Sequence, residues 1–204
     1  MNLKNIRETL CGRSPGIIEV ERASSVLIPL VEKTDGLYML FEKRANGIRQ
    51  GGEVCFPGGR IDRGETPAQT ALRETEEELG LPQSCIELLG AFDTLHNYTD
   101  VTIHTYIGRI EEPALSQLNI QEDEVEQVFL VPVRFFMENP PYVYRFDVVP
   151  DIGEDFPYDM VVDAPQKYDW LKGKCNVPIW NYEGFTIWGL TARMIVWFLK
   201  VFDG

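Results

Sequence analysis

Residues 59–81 of the chain read GRIDRGETPAQTALRETEEELGL, and this stretch predicts one helix that carries its own start and stop signals. Thr66 can cap the helix, Pro67 suits its first position, and the glutamine three residues after Thr66 completes a capping box. Gly80 supplies the usual C-terminal stop. We therefore expect a helix from about residue 67 to residue 79.

The expected helix has two chemically different faces. At about 100° per residue, one face collects small and apolar side chains. These are Ala68, Ala71, Leu72, Thr75 and Leu79. Glu74, Glu77 and Glu78 share an arc on another face, where carboxylates three and four positions apart repel one another. Such a face is either a solvated surface or a site that holds a cation, and the carboxylates alone leave both interpretations open.

The residues around the acidic face favour a site. Gly58, Gly59 and Gly64 precede the helix, and glycines in a loop let the backbone approach phosphate or metal closely. Arg73 lies where it can tie the helix back to Glu65. Mg²⁺ and Mn²⁺ prefer oxygen ligands, usually a few carboxylates together with waters and substrate phosphates. The loop and the helix together therefore predict a divalent-metal site.

The same stretch resembles the signature of the Nudix hydrolases, a family of metal-dependent pyrophosphohydrolases. The matching positions are Gly59, Glu65, Arg73, Glu74, Glu77, Glu78, Gly80 and Leu81. One position departs, because Thr75 stands where the family normally has an aliphatic residue. The resemblance implies a Nudix α/β/α sandwich, an α/β fold whose mixed sheet lies between helices and whose catalytic end is the loop and helix of residues 59–81.

The resemblance also implies roles for individual residues. The expected ligands of Mg²⁺ or Mn²⁺ are Glu74, Glu77, Glu78 and the Gly58 carbonyl. The expected catalytic set is Glu74, Glu77, Arg73 and Glu65. In that set Glu74 or a loop glutamate takes the proton of the attacking water, while Arg73 and Glu65 support the helix. Many Nudix enzymes add a distal glutamate ligand, for which Glu124 is the candidate; the alternative is that Glu124 belongs to a solvated acidic loop.

Composition limits the classes of partner. The 204 residues are 44% hydrophobic and 25% charged, which predicts a single domain over residues 1–204 with a sizeable core. The net charge of −13 argues against nucleic acid or an anionic membrane as partner, because a polyanion would be repelled. The four cysteines are widely spaced and predicted to be reduced. Together with the absence of an apolar leader, this predicts a cytoplasmic protein.

A basic run precedes the expected metal loop in this otherwise acidic chain. Lys43, Arg44 and Arg49 are predicted to bind substrate phosphates; the alternative is that they compensate nearby carboxylates. The run resembles a second signature, that of the coenzyme A pyrophosphatase branch of the family, in which two arginines five apart lead through a glycine into FPGG, here residues 56–59. The interval after Arg49 is one residue shorter than the usual pattern. The sequence WGLTA at residues 188–192 resembles the closing motif of the same branch.

Hydrophobic patterns predict the elements around the helix. Residues 24–40 predict a β-hairpin that turns at Asp35-Gly36, and residues 86–92 and 101–107 predict strands. His104 falls within the second strand and is interpreted as an ordinary strand residue rather than a catalytic base.

The two ends of the chain and the segment before the C-terminus complete the expected elements. Residues 2–10 predict a short helix that packs through Leu3, Ile6 and Leu10, and residues 138–183 predict an extended hairpin packed by aromatic side chains. Residues 187–202 predict a packed terminal helix, with Trp188 in the core, because charged residues interrupt the apolar run before it could span a membrane.

The resemblance implies hydrolysis of a nucleoside diphosphate linked to another group. Coenzyme A or acyl-coenzyme A is the favoured substrate, giving 3′,5′-ADP and (acyl-)4′-phosphopantetheine. The alternatives are an ADP-sugar or dinucleotide diphosphatase and a non-catalytic Nudix ligand sensor. A homodimer is compatible with the sequence, which does not determine the oligomeric state.

Overall fold

The computed structural model describes residues 2–13, 17–18, 22–161 and 168–202 of the protein. In these ranges the helices are α1 (Leu3–Leu10), α2 (Pro67–Leu79), α3 (Val133–Glu138), α4 (Tyr158–Val161) and α5 (Gly189–Phe202). The strands are β1 (Arg22–Lys33), β2 (Gly36–Arg44), β3 (Val54–Cys55), β4 (Gly58–Arg60), β5 (Ile86–Ala91), β6 (Leu95–His96), β7 (Val101–Glu111), β8 (Val125–Pro132), β9 (Tyr142–Val148), β10 (Gly173–Tyr182) and β11 (Phe185–Trp188).

An eight-stranded mixed sheet forms the middle layer. Its main path is β3-β2-β1-β7-β5, while β4 pairs with β1, β6 with β7 and β8 with β2. Strand β1 runs antiparallel to β2 and parallel to β7. The predicted hairpin of β1 and β2 is confirmed, although its two-residue turn is Thr34-Asp35, because Lys33 already pairs with Gly36. The strands predicted at residues 86–92 and 101–107 are also confirmed, and the second extends four residues further.

Helices cover both faces of this sheet. Leu27 of β1 packs in a cluster that contains Ala71 of α2. The next residue, Ile28, packs in a second cluster that contains Ile195 of α5. Because successive side chains of a strand point to opposite faces, α2 and α5 lie on opposite sides of the sheet. The α/β/α sandwich expected from the sequence is confirmed.

Helix α2 has the predicted bounds, and its ends follow the predicted chemistry. The Thr66 hydroxyl accepts a hydrogen bond from the Gln69 backbone N–H (3.3 Å), and the Gln69 side chain accepts one from the Thr66 N–H (2.9 Å). Gly80 has φ 63° and ψ 18°, the left-handed conformation that glycine adopts readily at a helix end. Thr75 is fully buried, and its hydroxyl donates to the Ala71 carbonyl (2.7 Å). That bond satisfies the hydroxyl where the family normally has an aliphatic side chain.

A second, antiparallel sheet lies beside the first. Its order is β11-β10-β9, which confirms the hairpin predicted within residues 138–183. Trp180 of β10 is buried in the α5-side cluster, and its indole N–H donates to the Asn139 carbonyl (2.6 Å). The small sheet and the large sheet therefore share a hydrophobic cluster; a single domain over residues 1–204 stays a prediction.

Two sequence predictions about the ends of the chain are wrong. The terminal helix begins at Gly189 rather than at residue 187, because Ile187 and Trp188 form the end of β11. Strand alternation buries Ile187 completely and leaves Trp188 42% exposed, so Trp188 is not a core residue. Helix α1 forms as predicted, but none of its residues is buried among the described part of the chain. Its apolar side chains Leu3, Ile6 and Leu10 are 82%, 39% and 59% exposed.

Helix α5 packs against the hydrophobic core through one of its faces. Ile195 is fully buried, whereas its neighbour Val196 is 40% exposed. Within the described ranges, no helix combines the length and the apolar character needed to cross a membrane.

We expect Ile195→Ala to lower the free energy of unfolding by about 2–5 kcal/mol, because it leaves a cavity where a fully buried side chain stood. Val196→Ala, the adjacent exposed position, is expected to change it by less than about 0.5 kcal/mol. Urea unfolding followed by circular dichroism measures both. Equal losses in the two variants would contradict the assigned packing face of α5.

Candidate active site

Arg73 of α2 ties the helix to the loop before it. Its Nε and Nη2 donate to the two carboxylate oxygens of Glu65, at 2.8 and 3.0 Å. The Thr70 hydroxyl donates to the same carboxylate (2.7 Å). These bonds, that of Arg73 first, lower the pKa of Glu65 to about 2. The predicted link between Arg73 and Glu65 is therefore present, and Glu65 is fully ionised near neutral pH.

The same guanidinium contacts two of the predicted metal ligands. Arg73 Nη1 lies 2.9 Å from Glu74 Oε1 and 2.8 Å from Glu77 Oε2. Hydrogen bonds to Glu65 and then to Glu74 raise the pKa of Arg73 further above its already high value. One positive group thus offsets the charge of three carboxylates, Glu65 in the loop and Glu74 and Glu77 on α2.

Glu78 lies apart from Glu74 and Glu77. The prediction that all three share one acidic face of α2 is therefore wrong for Glu78. Glu78 is only 3% exposed. It follows Ala71 by seven positions and Thr75 by three, so it lies on the stripe of α2 that packs against the sheet rather than on one acidic face with Glu74 and Glu77. Its Oε2 accepts a hydrogen bond from the Gly58 backbone N–H (2.8 Å). Burial, and then the charge of Glu42, raise the pKa of Glu78.

The glycine loop is in close contact with Glu74. A Cβ atom at position 59 would overlap the Glu74 carboxylate, so glycine lets this carboxylate lie directly against the loop backbone. Glu74 is 17% exposed, and burial raises its pKa. The expected role of the Gly58 carbonyl as a metal ligand stays a prediction, since the contact seen at Gly58 is made by its N–H.

Glu42 of β2 is a site residue that the sequence analysis missed. It is 1% exposed, and its Oε1 accepts a hydrogen bond from the Cys55 thiol (3.1 Å). Its Oε2 is buried and has no hydrogen-bond partner among the described residues. Burial raises the pKa of Glu42, and the charges of Glu124 and Glu74 raise it further. The signal was strand alternation, which places Glu42 two residues after Leu40 on the face that α2 covers.

Glu124 lies in the turn that leads into β8. Its backbone carbonyl accepts from the Ala45 N–H (2.8 Å), and its side chain accepts from Gln121 (3.2 Å). Its charge contributes to the raised pKa of both Glu42 and Glu74. Glu124 is therefore near enough for its charge to act on Glu42 and Glu74, and its assignment as a metal ligand stays a prediction.

The three basic residues of the run before the loop differ in their surroundings. Lys43 forms a salt bridge with Glu126, which is the charge compensation considered as the alternative. Arg49 is exposed, and its backbone carbonyl accepts a hydrogen bond from Arg44 Nε (3.3 Å). Arg44 lines a cavity of about 220 Å³ together with Gly58. Of the three, Arg44 is the one placed beside the glycine loop.

A larger cavity, of about 630 Å³, lies on the α5 side of the sheet. It shares Met194 with the smaller cavity. Val26 pairs with Gly58 on one side and with Thr105, which lines the larger cavity, on the other. Two strand spacings therefore separate Gly58 from Thr105, roughly 10 Å. Arg145 and Arg193 also line this cavity, and neither forms a salt bridge within the described part of the chain.

The residues at the loop fit a hard divalent cation by their chemistry. The donors are carboxylate oxygens, one of which is buried and unpaired, and the glycine loop brings backbone against Glu74. Over the described ranges, no three His, Cys, Asp or Glu side chains already stand as a metal-binding group. Glu74 is bound to Arg73 and Glu78 to the Gly58 N–H, so these carboxylates would have to turn to bind an ion.

We expect Glu65→Gln to lower the melting temperature near pH 7, because Arg73 loses its charged partner. The pKa of Glu65 is lower in the folded chain, about 2, than its ordinary value of 4.5. Its stabilising contribution is therefore present above the ordinary value and is lost as the pH falls towards the folded value. The difference in melting temperature between wild type and variant should accordingly shrink as the pH falls from about 5 to about 2, the window that these two pKa values set.

Glu111→Gln is the control for this measurement, since Glu111 is 70% exposed and lies 4.0 Å from its nearest basic partner. Thermal unfolding across pH measures all three proteins. A Glu65→Gln difference that is independent of pH would contradict the assigned ion pair.

Comparison with known proteins identifies the family to which the chain belongs. A model of the NUDIX domain matches residues 21–147. "Nudix hydrolase 3" of Caenorhabditis elegans is 38% identical over 137 residues, covering 64% of this chain and 57% of that protein. "Peroxisomal coenzyme A diphosphatase NUDT7" of Mus musculus is 36% identical over 134 residues, covering 65% and 55%. "Uncharacterized Nudix hydrolase NudL" of Escherichia coli (strain K12) is 29% identical over 175 residues, covering 85% and 79%.

The chain thus spans little more than half the length of the first two relatives. The matched region contains the sheet, the glycine loop and α2 with its carboxylates. Because the NUDIX model matches more than half of the chain, this chain belongs to the Nudix family.

Proposed function

We propose that the protein is a divalent-metal-dependent pyrophosphohydrolase that acts on a nucleoside diphosphate linked to a second group. The observation that carries the proposal is the set of carboxylates gathered at the Gly58–Gly59 loop with Arg44 beside them. Glu74 contacts this loop from α2, and Glu78 bonds to it from the buried side. An acidic site next to an arginine suits a ligand that brings phosphates together with cations.

Different residues of the site have different proposed roles: metal binding, proton acceptance and positioning. Mg²⁺ or Mn²⁺ on Glu74, Glu77 and Glu78 would supply charge that neutralises the diphosphate and makes bound water more acidic. Glu74 is suited to accept a proton from the attacking water, since burial raises its pKa above the ordinary value and makes it a stronger base. Arg73 positions Glu74 and Glu77 while it holds Glu65.

Coenzyme A or acyl-coenzyme A is the substrate that we favour. The mouse relative is named a coenzyme A diphosphatase, and FPGG and WGLTA in this chain resemble motifs of the coenzyme A pyrophosphatase branch. Water would add at one phosphorus, the bridging P–O bond would break, and the bridging oxygen would leave with the other phosphate. The products are 3′,5′-ADP and (acyl-)4′-phosphopantetheine.

The two cavities suit a substrate of that length. The diphosphate would lie at Gly58, and the remainder would extend past Met194 into the larger cavity. A cavity of about 630 Å³ is in the range of small-molecule sites. Coenzyme A carries a 3′-phosphate beyond its diphosphate, and Arg44, which lines the smaller cavity together with Gly58, is the residue proposed to bind it.

A cytoplasmic location belongs to the same proposal. The four cysteines are all free in the structure, and free thiols are usual in reducing compartments. The net charge of −13 still favours a small anionic substrate over nucleic acid or a membrane surface.

We expect Glu78→Gln, and to a similar degree Glu74→Gln, to lower kcat by roughly three orders of magnitude or more, because each removes charge from the metal site. Glu78→Gln should not lower the stability of the metal-free protein, because burial already disfavours the charged form of Glu78 and a glutamine oxygen can still accept the hydrogen bond from the Gly58 N–H. Phosphate-release assays with Mn²⁺ and thermal unfolding measure the two effects.

Glu76→Gln is the matched control, because Glu76 lies on the same helix but bonds to Gln83 away from the loop. Glu78→Gln with turnover close to that of wild type would contradict the assigned ligand. Absence of hydrolysis in the wild type with every diphosphate tested would favour a ligand sensor instead.

We expect Arg44→Ala to lower kcat/KM for coenzyme A about ten- to a hundredfold, since a charge-assisted arginine–phosphate contact contributes about 1.5–3 kcal/mol. Dephospho-coenzyme A lacks the 3′-phosphate, so its kcat/KM should fall much less. Steady-state assays with coenzyme A, dephospho-coenzyme A and ADP-ribose test this.

Arg134→Ala removes the same charge at an exposed helix position paired with Glu138 and serves as the control. Equal losses for coenzyme A and dephospho-coenzyme A in Arg44→Ala would refute the coenzyme A assignment. Wild-type hydrolysis of ADP-ribose as fast as coenzyme A would replace it with a broader diphosphatase.

A further inference from the structure

Glu42 is a buried acid for which the fold supplies little compensation. It lies in the middle layer, 1% exposed, outside the Nudix signature and outside the basic run that follows it. One oxygen accepts a weak hydrogen bond from the Cys55 thiol, and the other has no partner among the described residues. A buried carboxylate without hydrogen bonds or a counter-charge is costly, so its presence requires an explanation.

The surroundings of Glu42 add acids rather than a cation. The charge of Glu42 is the second cause, after burial, of the raised pKa of Glu78, and the charges of Glu74 and Glu124 act on Glu42 in turn. Arg44 is the basic residue that acts on Glu42, but it forms no salt bridge with it in the described part of the chain. Three acidic neighbours therefore act on Glu42 or are acted on by it, and Glu42, less exposed than Glu78, keeps one oxygen without a hydrogen-bond partner among the described residues.

The hydrogen bond from Cys55 determines which oxygen of Glu42 lacks a partner. Cys55 pairs with Glu42 across β3 and β2, and its Sγ lies 3.1 Å from Oε1. Burial, and then the charge of Glu42, raise the pKa of this thiol, so it stays protonated and acts as a donor. The thiol holds one side of the carboxylate and leaves Oε2 for another ligand.

We propose that Glu42 is a further ligand of the divalent-metal site and binds a cation together with Glu78. This inference rests on the proposed metal-dependent function, and it extends the ligand set from the loop and α2 to the sheet beneath them. A cation would satisfy the unpaired oxygen and remove the repulsion between the two buried carboxylates. The competing explanation is that Glu42 stays protonated and only fills space beside Cys55.

Metal binding without substrate separates these explanations. Mn²⁺ is titrated into wild type, Glu42→Gln, Cys55→Ala and Glu76→Gln, with free Mn²⁺ followed by electron paramagnetic resonance and melting temperatures recorded with and without Mn²⁺. In Glu42→Gln we expect the loss of one bound Mn²⁺ or at least a tenfold weaker Kd, with a smaller Mn²⁺-induced rise in melting temperature. Its metal-free melting temperature should equal or exceed that of wild type. Cys55→Ala and Glu76→Gln should bind Mn²⁺ as wild type does.

Glu42→Gln that binds the same number of ions with a Kd within twofold of wild type overturns the inference and leaves the proposed function standing. If Glu42→Gln does not fold, Glu42→Asp decides, because it keeps the charge but withdraws the carboxylate by one methylene; unchanged Mn²⁺ affinity in that variant also overturns the inference. A wild type that binds no Mn²⁺ removes the inference and the proposed function together. A wild type that binds Mn²⁺ through Glu42 but hydrolyses no diphosphate supports the inference and refutes the function.

Discussion

The hydrogen bond from the Gly58 N–H to the buried carboxylate of Glu78 is the contact on which the arrangement of the site depends. It joins β4 to α2 inside the protein, where a carboxylate needs a donor to be tolerated. Because β4 pairs with β1, this bond also sets the position of α2 against the central sheet. The outer carboxylates of α2 then lie beside the glycine loop as a consequence of that docking.

The charges of the site are balanced unequally on its two sides. On the outer side, Arg73 contacts Glu65, Glu74 and Glu77, so those carboxylates have a counter-charge within the protein itself. On the inner side, the hydrogen-bond partners of Glu42 and Glu78 among the described residues are a thiol and a backbone N–H. The outer group is therefore suited to keep the helix in place, and the inner group is suited to take a cation.

The second sheet and α5 give the site its neighbouring space. They cover the sheet face opposite α2 and enclose the larger cavity, which meets the smaller cavity at Met194. The closing sequence WGLTA lies at this junction, where Trp188 ends β11 and lines the smaller cavity instead of filling the core. Its partial exposure is consistent with a role at the cavity wall rather than in packing.

The sequence by itself determined α2, because caps, proline and glycine act on the residues next to them. It also determined the strands with clear alternation and the link between Arg73 and Glu65, which lie eight positions apart. Tertiary structure decided which acids are buried, since the depth of Glu78 depends on how α2 docks and that of Glu42 on which strands flank it. Trp188 is a second example of a position that tertiary structure decided. Its local sequence is apolar, but as the last residue of β11 its side chain points away from the core. The pairing of β11 with β10 defines that direction.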